Sequence, residues 1–133
     1  MMIPKQTPLR DKKYLRWIAG LPCCICGGAS QAAHVKFLQP NVRGIGQKVG
    51  DDCTLPLCPP HHLIQEDHQG NVTGRVWFRD QNVNAEYLTL ALREIYKAFM
   101  GRDKPDAGLA QYHAEDVIRH AKRFLENDNA DCN

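Results

Sequence analysis

The sequence predicts an α+β fold in which two short strands and a helix gather around a zinc ion, flanked by an N-terminal helix and two C-terminal helices. Three observations lead there. Nine of the twelve Cys and His residues lie within residues 23–68, and four of them form two pairs with metal-ligand spacing. After Asn84 a strong helical pattern begins. A length of 133 residues, 43% hydrophobic and 24% charged, fits one small domain with a modest core. That domain reads as residues 1–133, with a metal-bearing core over about 14–78 and a helical extension over about 84–127.

The elements follow in order. Residues 10–19 put Tyr14, Leu15, Trp17 and Ile18 on a helix with a basic polar side, and Gly20 and Pro22 stop it. The segment PCCICGG has the tight, glycine-ended character of a zinc knuckle. Residues 32–37 read as a strand, 38–52 as a loop rich in Gly, Pro, Asn and Asp, and 54–57 as a second strand. Pro59 and Pro60 suit the first turn of a helix running to about Asp67. NVTGRVWF reads as an extended segment or turn. Asn84 then caps a helix over 85–100 that carries Leu88, Leu92, Ile95, Tyr96 and Phe99 on one side. GRDKPDAG breaks it, and a last amphipathic helix covers 109–126 through Val117, Ala121, Phe124 and Leu125, leaving the final seven residues frayed. Trp17, Trp77 and Phe78 are core residues in this reading.

Charge is uneven. Residues 1–50 hold eight Lys or Arg against Asp11 alone, a local balance of +7, whereas residues 51–133 carry nine basic and fourteen acidic residues, a balance of −5. A basic face that can meet phosphate, or simply a solvated face, accounts for this. No apolar run approaches the roughly 18–20 residues that span a bilayer, and the N-terminus lacks the apolar centre of a secretory signal. The expectation is a cytoplasmic protein with no membrane partner, where thiols stay reduced and clustered Cys and His serve as metal ligands rather than disulfides.

Cys23 and Cys26, followed by Gly27, pair with Cys58 and His61 some thirty residues later. Three thiolates and one imidazole make a tetrahedral Cys3His site for structural Zn2+. Cys24 and Cys53 are the alternative ligands, and Cys132 is a bystander. His34, His62 and His68 are then in surplus. His62 points about 100° away from His61 on the same helix and is free for a second site, while His34 sits on the strand that leaves the knuckle. A strand-borne His and a helix-borne His form a plausible pair of general base and metal ligand.

The ordered set CxxCG, AHVK, GIGQK, then LPLCPPHH with Gln65 and a downstream His and Gly resembles the HNH endonuclease superfamily and its ββα-metal finger. Within it the chain is most similar to small phage and prophage members of the RecA-dependent, recombination-enhancing type. Arg16, Trp17, Pro22, Cys23, Cys26 and Gly27, followed by Pro56, Leu57, Cys58, His61 and His62, carry the resemblance over roughly residues 14–78. It implies that His34 is the general base that deprotonates water for attack on a DNA phosphodiester. It implies that His62 holds a catalytic cation, Mg2+, Mn2+ or Zn2+, and that Lys36, Arg43 and Lys48 contact phosphate. Two positions depart from the pattern. Ala33 stands where many members have a metal-ligating residue. Four residues after His62 the chain has Glu66, while His68 lies six on, so that Glu66 and His68 are alternative ligands, with His68 slightly preferred for its ligand type and the following Gly70. Asp51 or Asp52 supplies the missing carboxylate or orients His34.

The reading is therefore a metal-dependent DNA endonuclease of phage or prophage recombination or processing in a bacterial host, with DNA as partner and a recombinase filament as a further candidate, acting as monomer or homodimer. The alternative is a zinc-stabilised nucleic-acid-binding or recombination accessory module without catalysis. A protein-interaction zinc module has only the acidic C-terminal half in its favour. Arg119, Lys122 and Arg123 are weaker DNA-contact candidates, more simply a solvated helix face, and His113 and His120 carry no assignment.

Overall fold

The computed structural model describes residues 9–39 and 49–131, with side chains through 121. The chain forms α1 (Lys12–Ala19), β1 (Gln31–His34), a 3-10 turn (Lys36–Leu38), β2 (Thr54–Leu57), α2 (Pro59–Glu66), α3 (Asn71–Asp80), α4 (Ala85–Met100) and α5 (Ala107–Asp131). The fold is α+β, as the sequence predicts.

β1 and β2 pair antiparallel, with Gln31 opposite Leu57 and His34 opposite Thr54. All four residues of β2 are buried, so this strand is packed on both faces, whereas β1 is buried only at Ala33. Pro56 removes one donor from β2, but its carbonyl accepts the Cys24 N–H at 2.9 Å and so fastens the knuckle to the strand. β1 stops sooner than the predicted 32–37. After Val35 N–H bonds Cys53 O, the N–H groups of Leu38 and Gln39 turn back to Val35 and Lys36 carbonyls. The Gln69 side chain meets the strand exit as well, accepting from Lys36 N–H at 3.0 Å and donating to His34 O at 3.3 Å.

α1 lies across both strands. Its Asp11 cap accepts the Tyr14 N–H at 3.1 Å, and Tyr14 and Ile18 are fully buried beneath it. α4 and α5 form an antiparallel pair against this core. Leu88 and Leu92 face inward from α4, and Ala110, Ala114, Ile118 and Ala121 from α5 allow close approach. The Asn84 cap accepts from Tyr87 N–H at 3.1 Å, as expected. α5 starts two residues earlier than expected, because Asp106 caps it through Leu109 N–H at 3.0 Å, and it runs on to Asp131 rather than fraying after 126. Trp77 and Phe78 are buried core residues, and Trp17 packs against the core in part.

The sequence reading fails at NVTGRVWF, which is not extended but forms most of α3, so three helices rather than two follow α2. β-branched Val72 and Val76 with a central glycine argue against a helix locally. Tertiary packing overrides this. Gly74 is buried, and a Cβ there would lie 2.5 Å from the Phe37 ring and 2.8 Å from the His68 carbonyl. That close approach seats Trp77 and Phe78 against the 3-10 turn.

An Ala at a helical glycine normally gains up to about 1 kcal/mol in helix propensity. Gly74→Ala is expected instead to destabilise by about 1–3 kcal/mol, because the His68 carbonyl is backbone and cannot swing aside. Urea denaturation followed by circular dichroism checks this, and a gain in stability would contradict the packing account.

Candidate metal centre and catalytic site

The knuckle is shaped by its backbone. Gly27 has φ +80°, a conformation that favours glycine. Its N–H bonds Cys23 O at 2.9 Å, while Cys23 N–H bonds Gly28 O at 2.8 Å, so Cys23 and Cys26 turn toward one point. Cys58 stands just ahead of α2 and His61 one turn into it, which brings the second pair to the same point. The ligand atoms of Cys23, Cys26, Cys58 and His61 all lie within 4.8 Å of one another. Cys26 Sγ is 3.6 Å from Cys58 Sγ, Cys23 Sγ 3.7 Å from His61 Nδ1, and Cys58 Sγ 3.1 Å from His61 Nδ1. Tetrahedral zinc places its ligand atoms roughly 3.5–3.8 Å apart. These four residues can hold a metal ion such as zinc, and among the described residues no other set of three or more such side chains converges.

The thiols themselves call for a cation. At Cys23 burial opposes ionisation, but the N–H groups of Cys26, Cys58 and Ile25 and the His61 ring outweigh it and draw the pKa down to about 6. At Cys58 the His61 N–H favours the thiolate, yet burial and the neighbouring Cys26 and Cys23 push the pKa up. One thiolate forms readily and makes the next harder to form, a conflict that a divalent ion removes. Cys24 is buried with its N–H on Pro56 O, outside the cluster. Cys53 is also outside it. There burial and the adjacent Asp52 raise the thiol pKa to about 11, and Sγ lies 3.7 Å from Gln39 Oε1. Neither alternative ligand is needed.

His34, at the end of β1, meets Asp51 across the hairpin, with Nε2 to Oδ1 at 2.9 Å. Asp51 is 3% exposed, yet it is fully partnered. Its Oδ2 accepts the Asp11 N–H at 2.7 Å, Oδ1 also faces Arg10 Nη1 at 3.2 Å, and its own N–H bonds Leu9 O at 2.9 Å. Burial alone would raise its pKa. His34, the Asp11 N–H and Arg10 overcome that and hold the carboxyl below the usual carboxylate range. An ionised carboxylate only accepts, so His34 Nε2 donates, and its Nδ1 keeps the lone pair that can take a proton. Of the two acids left open by the sequence, Asp51 is the one that orients His34.

His62 stands apart from this pair. Its Nδ1 is 2.9 Å from Gln31 Oε1 and its Nε2 3.3 Å from Glu66 Oε1, at the opposite end of β1 from His34. No hydrogen bond joins the two histidines among the described residues. The neighbour of His62 is Glu66, four residues on, and not His68. α2 does end before His68, whose Nδ1 is 2.8 Å from Ile64 O and whose ring face stacks on Trp77 at 5.9 Å between centroids, leaving Nε2 as its ligand atom. Ala33 is fully buried and offers nothing. Lys36 is half-buried at the 3-10 turn, and Arg43 and Lys48 lie outside the described residues. Arg119 forms an exposed ion pair with Asp116 at 3.7 Å, and the side chains of Lys122 and Arg123 lie outside the described residues. His113 stacks on Phe99 at 5.0 Å.

Sequence reasoning missed the roles of Arg10, Asp11 and Gln69. Two of the three act at least partly through backbone groups or on them, which side-chain motifs do not reveal. The one available signal was Asp11, the single acid among the first fifty residues.

Residues 1–72 match the family described as "Protein of unknown function (DUF968)". An uncharacterized protein of Escherichia coli (strain K12), YdfU, is 36% identical over 62 residues, which is 47% of this chain and 18% of that protein. The matched stretch thus spans less than a fifth of that relative. No solved structure matches the chain.

The chain is expected to carry one zinc by elemental analysis. Cys58→Ser should lose it and lower Tm by at least about 10 °C, whereas Cys24→Ser and Cys53→Ser should keep it. Loss of metal from the Cys24 or Cys53 variant instead would reassign the ligands. A second expectation concerns acid. Because the Asp51 pKa is lowered on folding, its stabilisation is complete above the ordinary Asp value of about 3.9 and drains away as pH falls through the lowered value. Asp51→Asn should therefore flatten the acid limb of stability measured by urea midpoint against pH, and an unchanged limb would mean that the carboxylate is not held ionised.

Proposed function

Starting from the premise that the chain belongs to the DUF968 family, we propose that it is a metal-dependent endonuclease that hydrolyses DNA phosphodiesters by an HNH-type mechanism. The observation that carries this reading is the 2.9 Å contact between His34 and a buried Asp51, beside a hairpin and helix that share a Cys3His cluster. An exposed imidazole with one nitrogen tied to a buried carboxylate is a base with a fixed tautomer and orientation. The resemblance of the motifs to small phage and prophage HNH nucleases supports the same chemistry, and with it a place in DNA recombination or processing beside a recombinase filament.

In this mechanism His34 Nδ1 takes a proton from the water that attacks phosphorus. Asp51 keeps Nε2–H in place and stabilises the imidazolium that results. The His34 side chain is 39% exposed and Asp51 only 5%, so the base reaches solvent while its partner stays shielded. Arg10 and the Asp11 N–H stop Asp51 from taking the proton itself. His62 and Glu66, at the opposite end of β1 from His34, would hold a divalent cation, Mg2+, Mn2+ or Zn2+, whose charge would bind a DNA phosphate there rather than at the His34 ring. Both remain wet enough to exchange ligands, at 24% and 57% side-chain exposure. Cys23, Cys26, Cys58 and His61 play no chemical part beyond fixing the frame.

One observation favours the alternative of a zinc-stabilised accessory module that binds nucleic acid without cutting it. Ala33 is buried, and among the described residues His62 is paired with Glu66 alone as a candidate cation ligand.

Plasmid nicking by metal-stripped protein resupplied with Mg2+, Mn2+ or Zn2+ separates the two. His34→Ala is expected to lose about 10²–10⁴-fold in rate while keeping its zinc. Zinc-loaded wild type that binds the plasmid but leaves it intact in every metal, with and without a recombinase filament, would decide for the accessory module.

A further inference from the structure

A groove runs along the 3-10 turn and the sides of α3 and α4 that face it. It consists of two cavities of about 510 and 190 Å3 that share Phe37, Arg75 and Glu86 as walls. The larger is also lined by Leu38, Asp52, Cys53, Leu90 and Arg93, and the smaller by Phe78, Val83 and Arg79. The larger volume lies in the range that takes a small organic ligand. Its chemistry is mixed, with an apolar floor, three guanidiniums and two carboxylates.

The three guanidiniums differ in how far they are satisfied. Arg79 is exposed, with no side-chain hydrogen bond or ion pair among the described residues. Arg93 lies over the Tyr14 ring, and its Nη1 is buried without a hydrogen bond although the Asp11 carboxylate is 3.6 Å away. Arg75 covers the Phe37 ring at 5.0 Å, donates through Nε to Asn71 Oδ1 at 3.0 Å and is paired with Glu86, but the Arg75 and Glu86 side chains are 46% and 56% exposed. Ion pairs so exposed hold weakly, and a phosphate competes for the guanidinium. When Arg75 leaves, an aromatic face opens beside Leu90, an apolar side chain that is 69% exposed.

We propose that this groove is a subsite for an unpaired nucleotide of DNA, its base on Phe37 and Leu90 and its phosphate on Arg75 and Arg79. The carboxylates of Asp52 and Glu86 repel a continuous phosphate backbone, but they can accept from the amino groups of an exposed base edge. A duplex hides both that edge and the stacking face, so the substrate is single-stranded or locally unpaired DNA. The groove walls are neighbours of the His34–Asp51 pair along the chain, although neither His34 nor Asp51 lines the cavities. The 3-10 turn follows His34, Asp52 and Cys53 follow Asp51, and the Val35 N–H to Cys53 O bond of 2.9 Å ties the two segments together. The proposal rests on the nuclease reading for its catalytic meaning, while its test is one of binding.

Fluorescence anisotropy of the zinc-loaded full chain, at one fixed salt concentration, compares a short labelled mixed-sequence oligonucleotide with the same strand annealed to its complement. The single strand is expected to bind more tightly. Arg79→Ala and Leu90→Asp, both at exposed positions, should each weaken it by about tenfold and leave duplex binding unchanged. Duplex binding as tight as single-strand binding, or variants that bind the single strand as wild type does, would overturn the subsite. Single-strand binding that depends on Arg79 and Leu90, in a protein that never nicks DNA, would uphold the subsite and sink the nuclease reading alone.

Discussion

Four ligand atoms, delivered by two chain segments some thirty residues apart, converge within 4.8 Å, and this constraint organises everything near the candidate site. The knuckle that carries Cys23 and Cys26 is fastened to β2 through Cys24 N–H and Pro56 O. The other pair is carried by Cys58 and the first turn of α2. A metal that links the pairs therefore locks the entry to β1, the whole of β2 and the start of α2 into one body. Each strand is only four residues long, too short to be stable as an isolated hairpin. Apolar burial by α1 and α4 supplies the rest, but it is not directional. The cluster sets register and angle, and so decides where His34 and His62 stand.

The second constraint is electrostatic. A carboxylate at 3% exposure is costly unless its oxygens are met, and those of Asp51 are met by the His34 ring, Arg10 and the Asp11 N–H. Two of these come from the chain just ahead of α1, so the segment at 9–11 is part of the site's wiring rather than a loose leader. Asp11 has three tasks. Its N–H binds Asp51, its side chain caps α1, and its carboxylate faces Arg93 on α4. The catalytic pair is in this way tied to both helical layers through one residue, and displacement of α4 would be felt at His34.

Much of this was legible in the sequence because ligand spacing and helical period are local signals. Cys23, Cys26, Cys58 and His61 follow from two-residue intervals, β2 falls over Thr54–Leu57 as expected, and α4 with its Asn84 cap follows from its apolar period. What was missed depends on distant contacts. α3 is helical because Gly74 lets the Phe37 ring and the His68 carbonyl approach, which no propensity records. The contacts that orient the His68 ring, with Trp77 and Ile64 O, are likewise not local signals. The choice between Asp51 and Asp52 turned on a strand register, since the 2.9 Å contact with His34 requires β1 and β2 to pair His34 with Thr54.

Two stretches of chain leave the catalytic pair, and both enter the groove. From His34 the chain passes through Val35 and Lys36 to Phe37 and Leu38, and from Asp51 to Asp52 and Cys53. A change at the groove wall thus reaches His34 and Asp51 through a few backbone links and one shared hydrogen bond. Enzymes gain specificity when binding energy remote from the reacting bond is needed to align the catalytic groups. With Ala33 buried and, among the described residues, His62 paired with Glu66 alone as a candidate cation ligand, this site has fewer protein ligands to fix a phosphate than its motifs imply. A nucleotide held by Arg75, Arg79 and Phe37 would supply the missing positional restraint from the substrate's own side. On the proposed reading, the His62–Glu66 pair and the arginine-lined groove would be complementary parts of one device, selective for strands whose bases are free.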